Sequence, residues 1–172
     1  MTDLVTTILS RIRDVPDYPQ AGVVFKDITP LLADHTAFSA VIDALALDLD
    51  VDKVVGIEAR GFILAAPVAY QAGAGFVPVR KKGKLPAETF EGSYDLEYGS
   101  AVIEVHRDAF APGDRVLIVD DVLATGGTAR AAVELVSRAG AEVVGFSVLM
   151  ELAFLRGRDR LGDVDVRALV AV

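Results

Sequence analysis

The 172-residue chain contains no cysteine and no tryptophan, and only two histidines. Without cysteine there is no disulfide framework, no thiolate metal site and no catalytic thiol. His35 and His106 alone are too few for an imidazole-based zinc site. Positive charge is also in short supply: 17 Lys and Arg stand against 25 Asp and Glu, a formal net charge of −8. That balance argues against general nucleic-acid binding, which draws most of its affinity from a basic face. Met1 to Asp14 lack a basic stretch followed by an apolar run and a small-residue cleavage site, so no secretory signal is expected and a cytoplasmic location is the default. Residues 61–79 form an uncharged run of 19, about the length of a membrane span. Pro67, Gln71, Gly73, Gly75 and Pro78 break it, so it reads as helix, turn and strand of a buried core, and no membrane partner is expected.

What is present points to a globular α/β protein. The hydrophobic fraction is 52% and the charged fraction 24%, enough to build one core and too apolar for a disordered chain. Leu4, Val5, Ile8, Leu9 and Ile12 recur at helical spacing. Residues 15–22, with Pro16, Pro19 and Gly22, read as irregular. Asp34 is placed to cap a helix running through Phe38, Val41, Ile42, Leu45 and Leu49. Strand patterns over 54–57, 76–79, 116–119, 143–149 and 164–172 alternate with helices over 61–71 and 128–139, the latter closed by Gly140. Partial alternation over 89–94 and 101–105 suggests a β-ribbon. This order implies βαβ units and a mainly parallel twisted sheet flanked by helices. Residues 1–172 read as one domain, with residues 1–35 an appendage outside the alternating pattern and 36–172 the core.

The string Val116-Leu-Ile-Val-Asp-Asp-Val-Leu-Ala-Thr-Gly-Gly-Thr128 carries the strongest chemical signal. Four apolar residues run into Asp120 and Asp121, then into a polar turn of Ala124, Thr125, Gly126, Gly127 and Thr128, then into a helix. Such a turn can aim successive N–H groups, a helix dipole and two hydroxyls at one phosphate. The two acids repel phosphate but suit a sugar diol, or Mg²⁺ held through water. Together they suggest a phosphorylated sugar. Gly56 and Gly61 have P-loop spacing, but Phe62 and Ile63 stand where Lys and Ser or Thr are needed. No Gly-x-Gly-x-x-Gly follows a strand, so a dinucleotide fold lacks its fingerprint.

The string resembles the 5-phosphoribosyl-1-pyrophosphate (PRPP) motif of type I phosphoribosyltransferases. Four further segments narrow the resemblance to the adenine-specific branch of that family. They are Tyr18-Pro-Gln-Ala-Gly-Val-Val-Phe-Lys-Asp-Ile-Thr-Pro30, Gly56-Ile-Glu-Ala-Arg-Gly-Phe62, Val79-Arg-Lys-Lys-Gly-Lys-Leu-Pro86 and Tyr94-Asp-Leu-Glu-Tyr-Gly99.

The resemblance implies the type I fold, with residues 1–35 as a hood that binds the base and a β-ribbon catalytic loop at about 82–101. It implies transfer of the phosphoribosyl group from PRPP to adenine, giving AMP and pyrophosphate through an oxocarbenium-like displacement with Mg²⁺. The metal would ride on the substrate diphosphate and water, with no direct protein ligand, and the enzyme would be a homodimer. Asp120 and Asp121 would hold the ribose diol, and residues 124–128 the 5′-phosphate. Arg60, Arg80, Lys81 and Lys84 would clamp pyrophosphate, with Lys82 the weakest member of the basic run. Val24, Phe25 and Lys26 would hold adenine by a flat apolar face and backbone hydrogen bonds. Glu97 would act as general acid/base near adenine N7 or N9, with Tyr98 beside the leaving group. Tyr94 reads instead as a surface residue of the hairpin. A cis peptide at Glu58-Ala59 would turn N–H groups toward pyrophosphate. Transfer to another 6-substituted purine stays open at this point, as does a PRPP-sensing regulator without turnover, which the acidic composition disfavours.

Overall fold

The computed structural model of the chain describes residues 2–46, 50–96 and 99–172. In chain order its elements are α1 (Thr2–Arg11), β1 (Arg13–Pro16), β2 (Val24–Asp27), α2 (Thr29–Ala33), α3 (His35–Ala46), β3 (Lys53–Ile57), α4 (Arg60–Ala72), β4 (Gly75–Lys81), β5 (Thr89–Leu96), β6 (Gly99–His106), β7 (Arg115–Leu123), α5 (Gly127–Arg138), β8 (Glu142–Glu151) and β9 (Val166–Ala171). Seven strands form one sheet in the order β5-β6-β4-β3-β7-β8-β9. From β4 to β9 all pairings are parallel, and β6 and β5 add an antiparallel ribbon at one edge. No helix among the described residues is long and apolar enough to cross a membrane.

Alternation along the central strands divides the core into two layers. Val55 and Ile57 of β3 and Val116 and Ile118 of β7 face one layer, with Leu135 and Val136 of α5. Val54, Leu117 and Val119 face the other, with Val41 and Leu45 of α3 and Leu64 and Val68 of α4. Because helices cover both faces, the central strands are apolar throughout, as parallel strands usually are. The N-terminal segment joins the second layer: Ile8, Ile28 and Leu31 are fully buried there. It is thus anchored in the core rather than laid over it, and only the β1–β2 ribbon, residues 13–27, carries no buried residue.

Four local features differ from the pattern reading. Val15 and Pro16 are not irregular but end β1, paired with Phe25 and Val24. The short helix α2, with Pro30 in its first turn, has no apolar period long enough to announce it. Pro78 stands inside β4, yet β4 pairs with β6 only at Arg80 and Lys81, so at Pro78 the strand has one neighbour and the missing N–H is tolerated. Asp34 caps α3 as expected, its Oδ1 accepting the Ala37 N–H at 3.0 Å, while Leu49 lies outside the described residues. The fourth feature, the length of β7, makes the site.

Candidate active site

β7 pairs with β3 only as far as Val119 but with β8 as far as Leu123, and β3 ends at Ile57. The expected strand end at residue 119 is therefore wrong, because β8 continues to supply partners. Asp120–Leu123 overhang a gap at the carboxyl ends of the central strands. β3 leads through α4 to one side of the sheet and β7 through α5 to the other, so the gap is a switch point, where open α/β sheets bind ligands. A cavity of about 320 Å³ fills it, lined by residues 57–60, 94 and 120–129.

Residues 124–128 carry the chain from β7 into α5, and Thr125 and Thr128 both line the cavity. Gly126 has φ +82°, and a Cβ there would lie 2.3 Å from the Gly157 carbonyl oxygen. A Cβ on Gly157 would in turn lie 2.2 Å from the Ala124 oxygen. The turn is therefore locked, backbone against backbone, to the short 3-10 turns after β8. Arg158 fastens that segment by bonding the Glu151 carboxylate through Nε at 3.2 Å and Nη2 at 2.6 Å. Gly157 is distant from the motif in sequence, and no local pattern singles it out.

The acid pair sits on the overhang. Asp121 is buried, and Asp120 keeps some exposed surface, yet its carboxylate is sunk against the α4 N-terminus. Its Oδ1 accepts the Asp121 N–H at 2.9 Å. Burial first, and the neighbouring Asp121 charge second, push the Asp120 carboxyl well above the ordinary carboxylate range. An acid raised in the folded state costs stability once pH exceeds its unfolded value of 3.8. Asp120→Asn should therefore raise the melting temperature at pH 7 by roughly 2–4 °C, the effect of about 1 kcal/mol in a chain of this size. The gain should vanish as pH falls to 3.8, and calorimetry across pH checks both points.

Arg60 joins three parts of the site. Its Nε lies 2.8 Å from Asp121 Oδ2, a charge contact without hydrogen-bond alignment. Its guanidinium stacks over the Phe25 ring at 4.7 Å, and Nη1 donates to the Lys26 carbonyl at 3.4 Å. The Phe25 ring also meets Tyr18 edge-on at 5.2 Å. The β1–β2 ribbon thus reaches the overhang through one arginine. The Lys26 ammonium turns elsewhere, to Asp14 at 2.8 Å, leaving its backbone to face Arg60.

The basic run is less free than its sequence suggests. Lys84 Nζ bonds Glu58 Oε1 at 2.5 Å, and Arg80 Nε bonds Oε2 at 3.3 Å. Lys82 pairs with Glu91 at 2.9 Å on the exposed ribbon. Burial opposes ionisation of Glu58, but the bonds from Lys84, the Lys81 N–H and Arg80 outweigh it and hold its carboxyl at about 2. Buried Glu104 accepts the N–H groups of Lys84 at 3.0 Å and Leu85 at 2.9 Å, pinning the loop from behind. Neither glutamate is read from the sequence as a site residue. A charge at an inward position of an otherwise apolar strand is the signal Glu104 offers.

The cavity brings together Arg60, Asp120, Asp121 and residues 124–128, as expected. Phe25 and Lys26 reach it through Arg60, and Arg80, Lys81 and Lys84 through Glu58. No described contact ties the Val24 side chain to the cavity; it is exposed in β2. Tyr94 is a correction: it lines the cavity, with its ring 3.6 Å from where a side chain on Gly127 would begin. Alternation directs it inward while leaving part of its ring exposed, which is why it resembles a surface residue. The Glu58–Ala59 peptide is cis, as the resemblance implies. Glu97 and Tyr98 lie outside the described residues.

A parallel sheet with this switch-point cleft, acid pair and glycine turn matches the phosphoribosyl transferase domain over residues 26–170. The class is thus a phosphoribosyltransferase. The chain is 66% identical over 174 residues to the adenine phosphoribosyltransferase of Thermobifida fusca (strain YX), covering 99% of each. The crystal structure of the adenine phosphoribosyltransferase from Rhodothermus marinus DSM 4252 matches the whole of both chains with a TM-score of 0.96 at 52% identity. That of the Saccharomyces cerevisiae enzyme, complexed with D-2,5-dideoxy-2,5-imino-altritol 1,6-bisphosphate and adenine, matches with a TM-score of 0.94 at 38% identity, over 99% of this chain and 100% of that one. The chain belongs to the adenine phosphoribosyltransferase family. It is a purine-salvage enzyme that transfers a phosphoribosyl group to adenine, forming AMP.

Proposed function

We propose that the overhang and its two flanking loops divide PRPP and adenine among them as follows. Residues 124–128 hold the 5′-phosphate with backbone N–H groups and the Thr125 and Thr128 hydroxyls. Asp120 and Asp121 accept hydrogen bonds from the ribose diol. Arg60, Arg80, Lys81 and Lys84 draw charge onto the departing pyrophosphate, and Val24, Phe25 and Lys26 hold adenine. Residues 1–35 act as the base-binding hood of a single domain. The observation that carries this reading is the position of Arg60, touching Phe25 on one side and Asp121 on the other, between the base and ribose subsites.

Bond cleavage at ribose C1 separates positive charge on the sugar from negative charge on pyrophosphate. Groups already fixed around both ends lower that barrier without reorganising at the moment of reaction. Mg²⁺ would enter as a passenger of the substrate diphosphate, where the adjacent Asp120 and Asp121 on the cavity wall could meet its water shell. When bound it would neutralise diphosphate charge. Assembly as a homodimer, which the family resemblance implies, and a cytoplasmic location, the default compartment, complete the reading.

Glu97 is assigned the proton at the purine ring and Tyr98 a place beside pyrophosphate, as the resemblance implies. The loop containing them would exclude water that could otherwise hydrolyse the activated sugar. Glu97→Gln should cut turnover by roughly 100-fold or more while PRPP affinity stays near wild type. Pyrophosphate release from PRPP and adenine measures the first and calorimetric titration the second. Unchanged turnover would remove Glu97 from the mechanism.

A further inference from the structure

We propose that Glu58 is an internal counter-ion of the pyrophosphate clamp, competing with pyrophosphate for Arg80 and Lys84 and so limiting how tightly the leaving group is held. The proposal deepens the clamp assignment above and rests on it. Glu58 lies on the cavity wall, in the turn leading to Arg60, with only 10% of its side chain exposed. Both of its oxygens face the basic loop: Oε1 takes Lys84 Nζ at 2.5 Å, and Oε2 takes Arg80 Nε at 3.3 Å and the Lys81 N–H at 3.0 Å. The two cations therefore converge on a carboxylate at the edge of the cavity.

Two consequences follow from charge alone. Arg80 and Lys84 would repel each other without an anion between them, so Glu58 keeps the clamp assembled when no diphosphate is present. An arriving diphosphate must then share those cations with a fixed negative charge, and like charges at that range disfavour each other. A leaving group gripped by Arg80 and Lys84 with no counter-charge between them would depart slowly. With Glu58 in place, the cations have a partner to return to as pyrophosphate leaves. The loop itself does not depend on Glu58, because Glu104 separately binds the N–H groups of Lys84 and Leu85. Scaffold and counter-charge are thus carried by different carboxylates, and the second can be removed while the first remains.

Titration calorimetry of the intact enzyme with magnesium pyrophosphate tests this. Glu58→Gln keeps the shape and an acceptor for the Lys81 N–H but removes the charge. Pyrophosphate should bind this variant about tenfold more tightly than wild type. AMP, which has no group for the clamp, should bind both equally. In the reverse reaction, KM for pyrophosphate should fall while KM for AMP holds, a split that a general loosening of the fold would not produce. Glu58→Asp retains the charge and should show no tightening. Lys84→Ala supplies the separate check on the clamp, with pyrophosphate binding expected to weaken about tenfold. Unchanged or weaker pyrophosphate binding in Glu58→Gln, with Lys84→Ala weakened, overturns the counter-ion role and leaves the clamp standing. Full affinity in Lys84→Ala overturns the clamp and the counter-ion role together.

Discussion

Arg60→Ala should lower kcat/KM for PRPP by roughly 100- to 1,000-fold, the usual cost of removing one preorganised charge from a transition-state site. Three losses coincide there. Asp121 is buried and loses the guanidinium 2.8 Å away, leaving two adjacent acids with less positive charge beside them. The Phe25 ring loses its cation at 4.7 Å, and the Lys26 carbonyl loses its donor at 3.4 Å, so the ribbon is no longer fastened to the overhang. The assigned pyrophosphate contact disappears as well. Lys at this position keeps a positive charge but not the planar fork that meets an aromatic face and a carboxylate together. Arg60→Lys should therefore recover only a minor part of the loss. Steady-state kinetics with each substrate varied checks this, and because the base side is also affected, KM for adenine should rise along with that for PRPP. An adenine KM equal to wild type would show that Arg60 does not join the two subsites.

Gly126→Ala should raise KM for PRPP by roughly 100-fold, the scale associated with moving a binding group about 1 Å. Alanine at φ +82° carries a conformational cost of about 1–2 kcal/mol, and its methyl would meet the Gly157 oxygen at 2.3 Å. The second conflict is the graver one. A backbone carbonyl has no rotamer to escape into, so the turn must open and its N–H groups must move. Gly157→Ala should produce the same rise from outside the cavity, since its methyl would meet the Ala124 oxygen at 2.2 Å. Gly140→Ala is the comparison: φ there is +91°, but nothing lies within 4 Å of the added methyl. It should cost about 1–2 kcal/mol of stability and leave KM for PRPP unchanged. If all three variants behave alike, the lock between the two turns does not position the phosphate.

The difference between Gly126 and Gly157 also shows what a sequence can reveal. Gly126 sits in a contiguous string whose strand, acids, turn and helix each have a local pattern, so its place in the cleft is legible from the sequence. Gly157 acquires its constraint only when β8 and its following turns fold back over the motif. Charge behaves the same way. Arg80, Lys81, Lys82 and Lys84 are conspicuous as a run, but Glu58 is 22 residues from Arg80 and 26 from Lys84, and nothing local pairs them. The mainly parallel character of the sheet followed from alternating elements, because each βα unit carries its own period. The extent of β7 did not, because Asp120 and Asp121 have poor strand propensity and stay in the strand only through β8. Tyr94 was misread for a related reason: a half-buried aromatic on an edge ribbon has the same pattern whether it faces solvent or a cleft.

The overhang of β7 has a further meaning as a measure of length. From the last pairing with β3 at Val119, four residues, Asp120–Leu123, run on before the turn begins. At about 3.3 Å per residue, Asp120 and Leu123 lie roughly 10 Å apart along the strand. One end bears the acids assigned to the diol and the other opens into the turn assigned to the phosphate. The strand is thus a ruler, its backbone held by pairing with β8 as far as Leu123 and the turn beyond it by close packing against Gly157. A sugar phosphate can satisfy both ends only if its hydroxyls and its phosphate are the right distance apart. On the proposed assignment, the backbone of the overhang would then take part in selecting the sugar phosphate.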